Sequence, residues 1–360
     1  MGIETGKKQI GWICTYVPEE LIHAAGFNPI RLFPGADHKE IEVGDLLPSS
    51  ICPFTRQILA NIRSGTYSNL EGIIIAQSCN AMLHLYNALK EDFSGFVYLM
   101  DVPRKQDQEA VSFFTEELES FLAFLNSSDR SVDSNDLIDS IILYNRKIKK
   151  IEQLLDKFFI SPDQQFYSGI HGVAEEASSV TPTVFIEKAE VILNSNSTAR
   201  DKKRGGKSSI LLTGGVASRS LFNMLDRLAR AAQFRLYPEN CSGIRYLFRP
   251  PIDYSGLHGS GKINILNRIA FNYLHKPPCP RMLDYKIREG FYNDLFKKLD
   301  VKAVIYHDLM FCDLCHYDYL LIKDLLEQRK IPLLKVKTEL GHEDSGQLIT
   351  RVEAFLEIIQ

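Results

Sequence analysis

Apolar residues in this chain fall into two rhythms. Short unbroken apolar runs, QIGWIC (9–14), PIRLF (29–33), GIIIAQ (72–77) and FVYLM (96–100), read as strands, and GIIIAQ has the composition of one buried on both faces. Helical patterns lie between them. Residues 18–25 place Pro18 at the first position, Glu19 and Glu20 at the positive end, and Gly26 as the stop. NAMLHLYNALK (80–90) is a second helix. Strands alternating with helices predict a parallel sheet covered on both faces.

From about residue 107 the period changes to that of long amphipathic helices. Ala110, Phe114, Leu118, Phe121, Leu122 and Leu125 share one face; Leu137, Ile138, Ile141, Ile148, Ile151 and Leu155 share another. TVFIEKAEVIL (183–193) adds a third helix, and the polar run 194–209 reads as a surface linker. The strand–helix rhythm then returns with SILLT (209–213), FRLYP (234–238), AVIYH (303–307) and IPLLKV (331–336), interleaved with helices at 219–232, 263–275, 317–329 and 347–359. The expected fold class is α/β, with two Rossmann- or flavodoxin-like parallel-sheet domains and a helical middle segment. The expected bounds are 1–106, 107–205 and 206–360.

Composition narrows the function. With 45% hydrophobic and 24% charged residues and a formal net charge of −3, the 360-residue chain is globular in composition and offers nucleic acid no electrostatic attraction. The start has no apolar core of a secretory signal, and no apolar stretch is long enough to cross a bilayer. A cytoplasmic setting is expected, where thiols stay reduced and cysteines serve metal, catalysis or packing.

The seven cysteines are not scattered. Cys14, Cys79, Cys241 and Cys312 fall just past the carboxyl ends of predicted strands, where open α/β sheets bind ligands. Cys52 and Cys279 each precede a proline, which predicts an irregular loop. Each half therefore reads strand-end Cys, Cys-Pro, strand-end Cys, with equal spacing from Cys14 to Cys52 and from Cys241 to Cys279. This suggests one thiolate trio per half: Cys14, Cys52 and Cys79, then Cys241, Cys279 and Cys312. Zinc sites prefer paired short spacings, and only Cys312/Cys315 has one. That pair also suits a redox dithiol, which leaves the other five unexplained. Iron–sulfur cubanes gather thiolates from distant loops.

The stretches GWICTYVPEELIHAAGFNPIRL, SSICPFTRQ, LEGIIIAQSCNAMLHLYNAL, FVYLMDVPR, LLTGG, PENCSGIR, PPCPRM, FCD and GQLITRVEAFLEII resemble, in order, the 2-hydroxyacyl-CoA dehydratase component D family, with its benzoyl-CoA reductase and double-cubane relatives. The resemblance implies Cys52, Cys79 and Cys312 as cluster ligands. Cys14, Cys241 and Cys279 look like the double-cubane branch, in which six cysteines hold two cubanes joined by a sulfide. The implied cofactor is a [4Fe-4S] cluster, or two bridged cubanes. The implied partners are an ATP-dependent iron–sulfur activator, an acyl-CoA or other small substrate, and a second copy or a related subunit. The leading expectation is dehydration of a 2-hydroxyacyl-CoA thioester through a ketyl radical. The alternatives are a double-cubane or benzoyl-CoA-type reductase, and a non-catalytic electron carrier. The family's ligand trio crosses the halves, against the spacing argument. Asn80 stands where the family commonly has Asp after the cysteine, and Cys315 matches no family position, so Cys315 reads as a bystander.

Other residues invite bland readings. Glu19 and Glu20 could supply a proton near Cys14, and helix-end complementation explains them as well. His84 reads as packing. His307, Asp308, His316 and Tyr16 lie close enough to the cysteines to be noted. GLHGSGK (256–262) lacks the hydroxyl residue and the preceding buried strand of a phosphate loop, and GGKSS (205–209) lacks the upstream glycine. LLTGG fits a plain turn better than a CoA phosphate site.

Overall fold

A computed structural model describes residues 7–34, 43, 46–126, 131–160, 166–195, 208–247, 249–340 and 346–360. The polar linker, apart from its first two and last two residues, lies outside them. In chain order the first half runs β1 (Gln9–Ile13), α1 (Glu19–Ala24), β2 (Asn28–Arg31), α2 (Pro53–Arg63), β3 (Leu70–Ala76), α3 (Asn80–Asp92) and β4 (Phe96–Met100). Four helices follow: α4 (Gln108–Leu125), α5 (Ser134–Ile160), α6 (Phe166–Ser179) and α7 (Pro182–Asn194). The second half runs β5 (Ser209–Gly214), α8 (Arg219–Ala231), β6 (Arg235–Glu239), α9 (Ile244–Leu247), α10 (Lys262–Leu274), α11 (Tyr285–Leu299), β7 (Val301–Leu309), α12 (Asp313–Arg329), β8 (Leu333–Thr338) and α13 (Gly346–Ile359).

The expected α/β class is what the chain adopts. Each half builds a four-stranded, all-parallel sheet, ordered β2-β1-β3-β4 and β6-β5-β7-β8. The strand order reverses between β1 and β3 and between β5 and β7. The loops leaving these central strands therefore diverge and leave a crevice at each carboxyl edge. β3, β5 and β7 are almost wholly buried, which is why they appear in sequence as unbroken apolar runs.

The middle helices are shared between the two sheets. One core joins β1, α1, α4 and the first half of α5 to α10, which comes from the second half of the chain. A second joins the last half of α5, α6 and α7 to β5, β7 and α8. A third lies on the other face of the first sheet, under α2 and α3, and takes in Leu309 and Leu340. The halves are thus locked together at the level of the hydrophobic core, each buried Leu, Ile or Phe contributing about 1.5–3 kcal/mol.

The pattern overlooked α2, α6, α11 and the one-turn α9. α2 opens with Pro53 at its first position, so the Cys52-Pro53 pair begins a helix where a loop was expected. Among the described residues, no helix is long and apolar enough to cross a membrane.

Candidate functional site

All seven cysteines line one cavity of about 110 Å3 between the carboxyl edges of the two sheets. Its remaining wall is largely apolar, with Ile13, Phe54, Met82, Val216, Leu309 and Leu314. The expectation of one trio per half is not how the side chains meet. The Cys52 thiol donates to the Cys312 sulfur, and so does Cys315. Cys79 feels the charge of Cys312 and, less strongly, that of Cys14, which lies between the two groups. On the other side Cys279 donates to Cys241, and the charge of Cys14 acts on Cys279. The contacts therefore give Cys52, Cys79, Cys312 and Cys315 as one set, and Cys14, Cys241 and Cys279 as the other. Each set draws on both halves, because the two sheet edges face each other across the cavity. Sequence spacing carries no information about that long-range juxtaposition. Cys315, set aside in the sequence, is buried on the cavity wall.

The first set is built on helix ends. Cys52, Cys79 and Cys312 are the residues immediately before α2, α3 and α12, so each stands at the positive end of a helix. That partial positive charge favours thiolate. Contact with Cys315 and then Cys52 holds the Cys312 thiol well below its ordinary value. Cys52, which gives its proton to that bond and is buried, is pushed up. Burial raises Cys79 to about 11 against the pull of the Met82 amide. Phe311, just before Cys312, has φ of 60°, a left-handed turn that a bulky residue adopts at a cost of about 1–3 kcal/mol.

The second set sits on loops and is compensated by cations. Cys14 leaves β1 with φ of 80°, again left-handed. Arg245 donates from Nη1 to Cys241 Sγ at 3.7 Å and is held by Glu239 at 2.8 and 2.9 Å. Arg31 donates to the Cys241 carbonyl at 2.8 Å and lies over the Phe33 and Tyr246 rings. Lys276 donates to the Thr15 carbonyl and lies 4.1 Å from the Tyr16 ring centroid. The hydrogen bond from Cys279, with Arg245 and Arg31 behind it, lowers the Cys241 thiol to about 5. Burial lowers Lys276 to about 7 although three thiols nearby oppose the shift. Sequence reading missed these cations. Glu239 and Arg245 flank Cys241 in PENCSGIR, so a signal was present, but their burial was not visible.

Gly214 and Gly215 form part of the wall. Gly214 has φ of 101°, and a Cβ there would meet the His307 carbonyl oxygen at 2.3 Å. LLTGG is thus the close approach of two strand ends.

The remaining candidates are placed as follows. Glu19 and Glu20 do not line the cavity. Glu19 is buried against Lys147 at 3.2 Å and the Tyr246 hydroxyl at 3.1 Å. Glu20 is buried against Arg249 and the Tyr273 hydroxyl. His84, expected to pack, is exposed, because its face of α3 points to solvent. Asp308 is buried against Lys335 at 2.8 Å, and the exposed His316 lies 3.6 Å from Asp308. Tyr16 is buried beneath Lys276 and Arg281.

His307 is fully buried, its Nε2 2.7 Å from Thr338 Oγ1, and burial lowers its pKa to about 4. The unfolded chain therefore takes up a proton near pH 6.5 that the folded chain refuses until about pH 4. Stability from this group is complete above that window and is lost as pH falls through it, by about 3 kcal/mol in all. Urea denaturation at pH 7 and pH 4.5 is expected to show a smaller loss for His307→Gln than for the parent. Equal losses would contradict this assignment.

The described residues hold no group of three or more His, Cys, Asp or Glu arranged to take a single metal ion. A cluster asks for something else: soft sulfur donors spread around a volume. Seven thiols around one largely apolar cavity, with helix ends on one side and guanidinium groups on the other to offset thiolate charge, fit that demand.

A family model described as 2-hydroxyglutaryl-CoA dehydratase, D-component, matches residues 14–359. The (R)-phenyllactyl-CoA dehydratase beta subunit of Clostridium sporogenes is 24% identical, over 99% of this chain and 93% of its own length. The beta subunit of (R)-2-hydroxyglutaryl-CoA dehydratase from Acidaminococcus fermentans is 23% identical, over 98% and 92%. A benzoyl-CoA reductase subunit of Thauera aromatica is 29% identical over a shorter region, 42% of this chain and 40% of its own.

Proposed function

Because the chain belongs to the 2-hydroxyglutaryl-CoA dehydratase D-component family, we propose that it is an iron–sulfur enzyme that holds two cubane clusters in one cavity and passes single electrons to a small substrate. The observation that carries this reading is the seven-thiol cavity divided into two sets. Such clusters, when bound, supply one-electron chemistry over a wide range of potential. Cys52, Cys79 and Cys312 would hold one, and Cys14, Cys241 and Cys279 the other. The protein's own contribution is placement and exclusion of water. The helix ends of α2, α3 and α12 stabilise thiolate on one side. Arg245 does so on the other, and its hydrogen bond to Cys241 Sγ would tune the potential of a cluster held there. Ile13, Phe54 and Leu309 keep the interior dry. Among the described residues that line the cavity there is no carboxyl group, so protons would enter from solvent past the part-exposed Cys14, Cys79 and Cys241.

Two sets in one chain support self-sufficiency, as a single copy or a homodimer, fed by a separate ATP-hydrolysing activator. Reduction of a small molecule with an inert multiple bond is the reaction this favours. Dehydration of a 2-hydroxyacyl-CoA is a second reading, favoured by the relatives named as dehydratases. The test supplies the anaerobically purified chain with a low-potential reductant and each substrate class in turn. Turnover of small multiply bonded molecules is expected. Turnover of 2-hydroxyacyl-CoA thioesters alone would establish the second reading, and turnover of neither would overturn the enzyme assignment.

A further inference from the structure

The structure assigns Cys315 as a fourth protein ligand to the set formed by Cys52, Cys79 and Cys312; this rests on the two-cluster reading above. Cys315 lies in the first turn of α12, three residues after Cys312. Thiols separated by two residues at that spacing hold the same cubane in ferredoxin-type runs. Its side chain is 6% exposed and lines the same cavity as the other six. Its thiol meets the Cys312 sulfur, which also meets Cys52, so three sulfurs are contiguous with Cys79 beside them. The Tyr306 hydroxyl donates to the Cys315 carbonyl at 2.5 Å and fixes the main chain of that turn.

The count then becomes asymmetric. A cubane has four irons. Four thiolates on the Cys312 side leave none without a protein ligand, whereas Cys14, Cys241 and Cys279 leave one. The open position therefore belongs to the second set, which is the set faced by Arg245 and Arg31. Polar or anionic substrate groups would be drawn to that side, and the Cys312 side would serve as an electron relay. The competing explanation is that Cys315 only donates a hydrogen bond to the Cys312 thiolate.

Cys315→Ala and Cys315→Ser in the full chain, purified anaerobically, separate these. Iron content and titration with cyanide, followed by electron paramagnetic resonance of the reduced protein, are the readouts. The parent is expected to bind about one cyanide per chain. Cys315→Ala is expected to bind about two, or to lose about half its iron. Cys315→Ser, which keeps a hydrogen-bond donor, is expected to change the spectrum as Cys315→Ala does. Iron content, cyanide stoichiometry and spectrum unchanged in both variants would overturn the assignment. A spectrum restored by serine alone would reduce Cys315 to a hydrogen-bond donor and overturn it too. An iron-free parent would overturn the two-cluster reading itself, a result distinct from either.

Discussion

Cys52→Ala combined with Cys312→Ala is expected to leave about half of the iron in place, whereas Cys52→Ala combined with Cys241→Ala removes nearly all of it. Both double variants lose two thiols. They differ only in how the thiols are grouped. Cys52 donates to the Cys312 sulfur, so the first pair strikes one set twice and leaves Cys14, Cys241 and Cys279 intact. The second pair takes one ligand from each set. A grouping by halves of the chain gives a different pattern, because Cys52 and Cys312 would then belong to different clusters. Iron analysis and the residual paramagnetic signal after anaerobic purification decide between them. Nearly complete loss in Cys52/Cys312, with half retained in Cys52/Cys79, would return the sets to the halves.

Glu239→Ala is expected to destabilise the protein by about 3–5 kcal/mol, the cost of leaving a buried charge without its partner. Glu239 is fully buried. Burial pushes its carboxyl up, but the Arg245 guanidinium outweighs burial and holds it below the usual carboxylate range. It also accepts from the Thr213 hydroxyl at 2.6 Å and the Tyr292 hydroxyl at 2.7 Å. Removing it orphans Arg245 inside the core and frees the group that contacts Cys241. Urea denaturation reads the first effect. Lys8→Ala is the control: its pair with Glu71 is exposed on both sides and contributes less than about 1 kcal/mol. A loss of similar size in the two variants would show that the Glu239 network does not hold the second thiol set in place.

How much of this was readable in the sequence follows from range. The central strands were legible because burial on both faces leaves an unbroken apolar run, as in LEGIIIA of β3 and SILLTG of β5. Helix α1 was legible from local punctuation, Pro18 before it and Gly26, at φ of 89°, after it. Helix α11 was not, because its buried residues include Arg288, whose partner Asp318 comes from α12. The apolar part of that face, Tyr292, Leu295 and Phe296, spans little more than one turn and is too short a stripe to stand out. The strand-end cysteines announced a site by position alone, since the carboxyl edge of a parallel sheet is set by topology. Their partition was hidden, because it depends on how two sheets meet. Glu19 and Glu20 show the same limit. They do stand in the first turn of α1 as their spacing suggested, and the tertiary fold adds Lys147 and Arg249, which the sequence did not show.

Iron and acid-labile sulfide per chain, measured on the parent protein after strictly anaerobic purification, test the two-cluster account most directly. The account predicts about eight irons per chain, one cubane for each thiol set. About four would leave Cys14, Cys241 and Cys279 without a cluster and contradict the two-set reading, and an iron-free, zinc-loaded chain would contradict iron–sulfur chemistry at this cavity altogether.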